Sequence, residues 1–278
     1  MKIFIDSSKL DEIKEAYSYG IIDGVTTNPS LIKEAMEDLK AKGQEINMET
    51  YIREILQVAK GTPVSLEVIG NTYQEMVNEG KRLYQLFNPV AKNVYIKIPV
   101  CPSFEENSEN IFDGIKAVKE LSKLGIPVNC TLIFTPEQAL MAAKAGAKFV
   151  SPFAGRVDDF IRQQNKISFK KSDYFPALGW EKDDEILEDN GIVSGVDLVN
   201  QCVEIFRTYD IKAEIIAASI RNARQVREVA LAGADIATLP FSVIKECLIH
   251  FKTMEGMRKF TSDVVPEYRD LIKKYDKK

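Results

Sequence analysis

The chain reads as an α/β protein of one architecture, a closed parallel (β/α)8 barrel of the TIM type. Three observations predict it: eight short apolar runs, a helical pattern after each, and a length of 278 residues, which one barrel fills. The runs fall at 2–6, 24–27, 63–68, 94–99, 128–133, 148–152, 213–218 and 235–238. They are rich in Val and Ile with little polar alternation, as strands covered by helices on one side and by each other on the inside should be.

The elements follow in order. The first run ends at Asp6, and Ser8 with Asp11 predicts a capping box ahead of Ile13 and Tyr17. The second leads into Asn28-Pro29, which suits a tight turn. The fifth precedes Thr135-Pro136-Glu137-Gln138, where a cap, a proline at the first helical position and a glutamine at the third predict a helix start. That helix should stop at Gly146. Ala145-Gly146-Ala147 before the sixth run is echoed by Ala232-Gly233-Ala234 before the eighth. After the sixth run, residues 158–192 are polar and aromatic-bearing, hold Trp180, and are too long for an ordinary connection. They read as an elaborated loop of the barrel. Residues 252–276 read as a C-terminal helical tail, and no Pro/Gly/Ser-rich linker divides residues 1–278, so a single domain is expected.

Bulk properties narrow the function. The chain is 45% hydrophobic and 28% charged with a net charge of −4, so no electrostatic attraction to nucleic acid or anionic membrane is expected. No apolar run spans a bilayer, and MKIFID runs into a strand pattern rather than a signal peptide. The 4 cysteines (101, 130, 202 and 247) form no CxxC pair, which points to reduced thiols in the cytoplasm. With His250 as the single histidine and neither a P-loop nor a GxGxxG run, no metal, cofactor or nucleotide is expected.

The chemistry concentrates at strand ends. Val94-Tyr95-Ile96-Lys97-Ile98-Pro99 carries one lysine in an apolar run. Desolvation favours the neutral form of an amine, which is the nucleophilic one, although a strand-end lysine can also snorkel or pair with a carboxylate. By alternation Asp6 shares a face with Phe4, Glu67 with Ser65, Thr131 with Asn129, and Phe153 with Ser151, whereas Cys130 points to the helices. Most of these residues lie late in their strands, so they should gather at the C-terminal mouth. Asp6 also fits a helix cap. Ser219 and Arg221 near the start of a helix, with Arg156 after the sixth strand, suit an anion, and they equally suit a solvated surface.

The segments MKIFID, GIIDGVTTNPSLI, VYIKIPV, NCTLIF, QALMAAKAGAKFVSPFAGRVDD, AASIRNARQV and LAGADIATLP resemble the transaldolases and the related fructose-6-phosphate aldolases, most closely the short-subunit forms. The resemblance covers residues 1 to about 250, with additions around 37–48, 102–107 and 158–192. It implies that Lys97 is the Schiff-base lysine and Asp6 the acid/base at carbon–carbon cleavage, and that Glu67 and Thr131 hold a proton-shuttling water. It implies further that Asn28, Asn129 and Ser151 bind the dihydroxyacetone unit, and that Arg156, Ser219 and Arg221 bind the phosphate. The aldolase branch typically carries Gln at the position of Glu67 and Tyr at that of Phe153, so the implied activity is transfer between sugar phosphates. It also implies a homo-oligomer.

Alternatives remain at this stage: an aldolase releasing dihydroxyacetone, a transaldolase for a sulfonated or other variant ketose, and a non-catalytic barrel. The segment 158–192 is expected to serve as a lid over the mouth, or else to pack on the barrel flank or a neighbouring subunit.

Overall fold

The computed structural model describes residues 1–45, 47–106 and 108–274. Its contacts divide into two compact units, Met1–Ile244 and Lys245–Lys278. The first is the barrel. Its strands are β1 (Lys2–Asp6), β2 (Gly24–Thr26), β3 (Val64–Glu67), β4 (Val94–Pro99), β5 (Val128–Ile133), β6 (Phe149–Pro152), β9 (Glu214–Ala217) and β10 (Ile236–Leu239), while β7 (Glu181–Lys182) and β8 (Glu185–Ile186) form a separate antiparallel pair. The order β1-β10-β9-β6-β5-β4-β3-β2 closes on itself with every pairing parallel. All eight strands expected from the sequence are present, several shortened by one residue at an end and the last shifted by one to Ile236–Leu239.

Two apolar layers hold the barrel. Outside, Ile5, Val25, Leu66, Ile96, Ile98 and Cys130 belong to the large cluster between strands and helices, which places Cys130 on the helix-facing side as alternation required. Inside, Phe4, Phe149, Ile216 and Ile236 form a separate cluster with Tyr95 against it. The Tyr95 ring stacks on Phe149 at 4.7 Å, and Phe4 meets Phe149 edge-on at 6.0 Å. Gly24 makes room for this floor, since a Cβ there would lie 2.6 Å from the Phe4 ring. Two residues beyond Phe4, Tyr95, Phe149 and Ile236, the same alternation delivers Asp6, Lys97, Ser151 and Thr238 as a polar layer above the floor.

The helix signals hold in part. Thr135 and Gln138 form the expected capping box, and Gly146 and Gly233 both end their helices in the left-handed region, at φ 108° and 90°. The Ser8–Asp11 box is corrected. The first helix, Leu10–Ser18, begins after Lys9 with no side-chain cap, because the Ser7 hydroxyl takes the Lys9 amide and donates to Glu12. Asp6 is likewise no cap. Its carboxylate accepts instead from Thr26 at 2.7 Å.

The long segment after β6 opens as helix. Ala154–Gln164 is helical, so residues 165–192 form the irregular part, with the β7–β8 hairpin within it. It is packed down onto the barrel. Arg162 is 2% exposed and sits between Phe169 and Phe175, with its guanidinium 4.9 and 5.0 Å from the two ring centres. The same guanidinium donates to the Asp173 carbonyl at 2.9 Å. Tyr174 donates to Glu228 at 2.7 Å, and the Arg224 guanidinium lies 3.7 Å over the Tyr174 ring. Phe175 and Ile192 are buried. Seven residues of the segment are helix, and Phe169, Phe175 and Tyr174 pack on Arg162 and on the helix Ala223–Ala232, while Phe160 and Trp180 are exposed.

Beneath that segment, Asp158 is 3% exposed and accepts from the Gly195 amide at 2.7 Å and from Gln225 at 2.8 Å. The second unit holds the helices Phe251–Ser262, capped by His250 accepting from the Lys252 amide, and Pro266–Lys273. They cover most of the expected tail, and residues 275–278 lie outside the described residues. No helix of the described residues is long and apolar enough to cross a membrane.

Burial pushes the Asp158 carboxyl up from 3.8 to about 7, against the pull of the Gly195 amide and Arg162. Between those values the folded chain holds more proton than the unfolded one, so this group's contribution to stability falls as pH rises through that window. Asp158→Asn removes that slope. In urea unfolding, the substitution should cost less near about pH 8 than near about pH 5. An equal cost at both would show that Asp158 does not titrate in this range.

Candidate active site

The strand register builds the polar layer. Asp6 pairs with Thr26 and Thr26 with Ser65, while Glu67 pairs with Lys97, Lys97 with Asn129, and Pro99 with Thr131. Lys97 is 4% exposed, and its Nζ lies 3.0 Å from Glu67 and donates to the Thr27 carbonyl at 3.1 Å. An ammonium this deep is costly unless a carboxylate meets it, and Glu67 does so from the adjacent strand.

Next to this pair, Ser151 donates to the Asn129 carbonyl oxygen at 2.7 Å, and the Asn129 amide donates to Ser65 at 3.1 Å. That chain fixes the orientation of Asn129. Thr131 is fully buried with a hydroxyl that has no hydrogen-bond partner among the described residues. It precedes Leu132, which adopts φ 56° where the β5–β6 register shifts. A leucine in the left-handed region is strained, and such bulges re-aim neighbouring side chains.

Asp6 lies across the mouth, held by Thr26, which in turn meets Thr238 at 2.5 Å. Burial raises the Asp6 carboxyl above its usual range, opposed by Lys97, by the Thr26 hydroxyl and by Arg221 and Arg156. A carboxyl with a raised pKa surrounded by cations is equipped to take and return a proton.

One cavity of about 270 Å³ is lined by Asp6, Asn28, Lys97, Ser151, Phe153, Arg156, Ser219 and Arg221, together with Thr26, Thr238 and Lys171. Eight of the residues singled out in the sequence therefore share one hollow. Glu67, Asn129 and Thr131 do not line it. Glu67 reaches it through Lys97, Asn129 through Ser151, and Thr131 sits one register step above Asn129. Asn28 spends its side-chain oxygen capping the helix Pro29–Ala41, which leaves its amide NH2 as a donor.

The end of the cavity that holds Arg156 and Arg221 has its own construction. Ser219 adopts φ 61°, and the helix begins after Asn222, so Ser219 and Arg221 belong to the turn before it rather than to its first turn. The Arg221 amide is already bonded to Gln225. The backbone amide is therefore not free at Arg221, and the side chains there are the guanidinium groups of Arg156 and Arg221. Arg221 pairs with Asp159 at 2.9 Å, while its buried Nε has no partner among the described residues. Gly155 allows this approach, since a Cβ there would lie 2.1 Å from the Ser219 carbonyl and 2.7 Å from Arg221 Nε. The Arg156 guanidinium lies over the Phe153 ring at 5.2 Å.

Thr26, Thr238 and Lys171 were not read as site residues from the sequence. The two threonines were findable, because each shares a face with an inward neighbour two residues away. Lys171 was not, since nothing local says where its segment folds. Among the described residues, no group of three or more His, Cys, Asp or Glu is placed to hold a metal.

Comparison with known proteins agrees with this geometry. The family model described as Transaldolase/Fructose-6-phosphate aldolase matches residues 3–276. A probable transaldolase of Bacteroides thetaiotaomicron is 42% identical over 263 residues, covering 95% of this chain and 97% of that protein. One of Caldicellulosiruptor saccharolyticus is 43% identical over 264 residues, covering 95% and 96%. A probable transaldolase of Thermoplasma acidophilum is 40% identical over 263 residues, covering 95% of each chain. With a closed barrel, a buried lysine at its mouth and near-complete coverage by these relatives, the chain belongs to the transaldolase/fructose-6-phosphate aldolase family.

Proposed function

We propose that this chain is a transaldolase of the cytoplasm, moving a dihydroxyacetone unit from a ketose phosphate to an aldose phosphate through an imine on Lys97. The observation that carries this is the Lys97–Glu67 contact at 3.0 Å beside the cavity that Asp6 and the two arginines share. Glu67 is within reach of the Lys97 proton, so the amine is freed by a short transfer rather than by solvent. The neutral amine adds to the ketone carbon and water leaves, giving the imine.

Asp6 then takes the hydroxyl proton on the carbon two bonds from the imine carbon, the carbon–carbon bond breaks, and the aldehyde departs. The bonding electrons flow into the protonated imine and leave a neutral enamine on Lys97. The acceptor aldehyde enters, the new bond forms, and Asp6 returns its proton. Thr131, with its unpartnered hydroxyl, and Glu67 hold the water that forms and later hydrolyses the imine. Asn129 and Ser151, locked to each other, and the free amide of Asn28 orient the three-carbon unit. Arg156, Ser219 and Arg221 hold the phosphate of either sugar.

Phe153 and Glu67 favour transfer over release. An apolar ring places no hydroxyl near the enamine, whereas a tyrosine there would supply one that could hold a hydrolytic water. A homo-oligomer is expected for this chain by family analogy.

Borohydride reduction with fructose 6-phosphate should add the three-carbon mass to one peptide containing Lys97. A label on another lysine, or none with any ketose phosphate, sinks the mechanism. Lys97→Arg should abolish turnover, because a guanidinium does not deprotonate to a nucleophile. The double variant Glu67→Gln, Phe153→Tyr should release more free dihydroxyacetone relative to transferred product, and an unchanged ratio would place control of partition elsewhere. Arg156→Ala and Arg221→Ala should each lower kcat/KM through KM, by about 1.5–3 kcal/mol for each charge-assisted bond lost. Equal losses with phosphorylated and unphosphorylated donors would refute the anion assignment.

A further inference from the structure

The wall formed by residues 165–192 does more than cover the flank. Lys171 lies in a turn that Asp173 closes, with the Asp173 amide donating to the Lys170 carbonyl at 2.9 Å and the Lys170 amide to the Asp173 carboxylate at 2.8 Å. On either side of that turn, Phe169 and Phe175 are clamped to Arg162. The anchor is fully buried, so the turn is presented in one place. That place is the barrel mouth: Lys171 lines the cavity that holds Lys97 and Asp6. It also lines a second cavity of about 590 Å³, next to the first, which shares Arg156 and Arg221 with it.

The charges around this point are unequally matched. Arg221 is paired with Asp159, which lies 3.8 Å from Arg162 on its other side. Arg156 and Lys171 have no carboxylate within ion-pair distance among the described residues. Two cations outside any ion pair among the described residues therefore line the mouth, with the carboxylates of Asp6 and Glu34 in the same cavity. A phosphate monoester carries a charge of about −1.5 to −2 at neutral pH, whereas a sulfonate carries a single charge. Each cation placed at the mouth gains more from the first than from the second.

We infer that Lys171 is a third cationic anchor for the substrate's terminal group, and that with Arg156 it makes the mouth selective for a dianionic phosphate over a monoanionic sulfonate. The inference rests on the proposed sugar-phosphate reading of the same site. Lys171 is a specificity residue, and it touches only the distal anion.

The test is direct binding of two small probes, methyl phosphate and methanesulfonate, measured by calorimetry without turnover. The parent protein should bind methyl phosphate about tenfold more tightly than methanesulfonate, the value of one charge-assisted contact. Lys171→Met should remove most of that preference and Lys171→Arg should retain it. Lys170→Met, which removes an equal charge one residue away and outside both cavities, should leave it unchanged. In turnover, Lys171→Met should raise KM for fructose 6-phosphate with little change in kcat.

An unchanged phosphate preference in Lys171→Met overturns the inference. So does an equal loss in Lys170→Met, which would indicate only general surface charge, and so does a parent protein with no preference. Failure of imine trapping on Lys97 would instead refute the proposed chemistry, and the calorimetric result would stand apart from it.

Discussion

An amine buried inside a barrel is the constraint on which the rest of this structure turns. Lys97 is carried into the polar layer by a strand that is otherwise apolar, where only 4% of it is exposed. The neighbouring strand answers with Glu67 at the same register level, so closure of the sheet brings the counter-charge into place without any loop. Removing either member would leave one buried charge unpaired, which costs more than the pair gains. The pair therefore ties register to chemistry. A slip of one residue between β3 and β4 would put Glu67 and Lys97 on opposite faces of the sheet.

The layer around the pair depends on what lies beneath it. Phe4, Tyr95 and Phe149 fill the barrel floor, and the glycine at position 24 admits the Phe4 ring. Each of these residues sits two positions before a polar partner on its own strand: Phe4 before Asp6, Tyr95 before Lys97, Phe149 before Ser151. These rings fill the barrel interior beneath the polar layer and set the height at which the polar groups stand.

The mouth in turn is shaped by a second buried charge. Arg162 is enclosed by Phe169 and Phe175 and sits near Asp159, and Asp159 holds Arg221. One guanidinium thus docks the long segment after β6 and lies one contact from the proposed anion site. The buried Asp158, bonded to Gly195 and Gln225, ties the helices following β6, β7–β8 and β9 into one support, and Gln225 also receives the Arg221 amide.

Much of this was legible in the sequence. The eight strands follow from apolar runs and their spacing, because buried strands and helical connections impose patterns that need no tertiary information. Alternation alone placed Lys97, Asp6, Glu67, Asn129 and Ser151 on one side, since the period of a strand is fixed by its backbone. It would have placed Thr26 and Thr238 there as well. Three things lay beyond it. The first helix starts at Leu10 because Ser7 rather than Ser8 takes the Lys9 amide, a choice between neighbouring hydroxyls that local propensity does not decide. The proposed anion site offers guanidinium groups rather than helix amides, because Ser219 turns to positive φ and the helix is capped only at Asn222. Finally, the aromatics of 165–192 signalled packing without naming a partner. Only the fold reveals that the partner is Arg162, seven residues before Phe169 in the chain, and that clamping it carries Lys171 to the mouth, because irregular segments take their positions from contacts rather than from any repeat of their own.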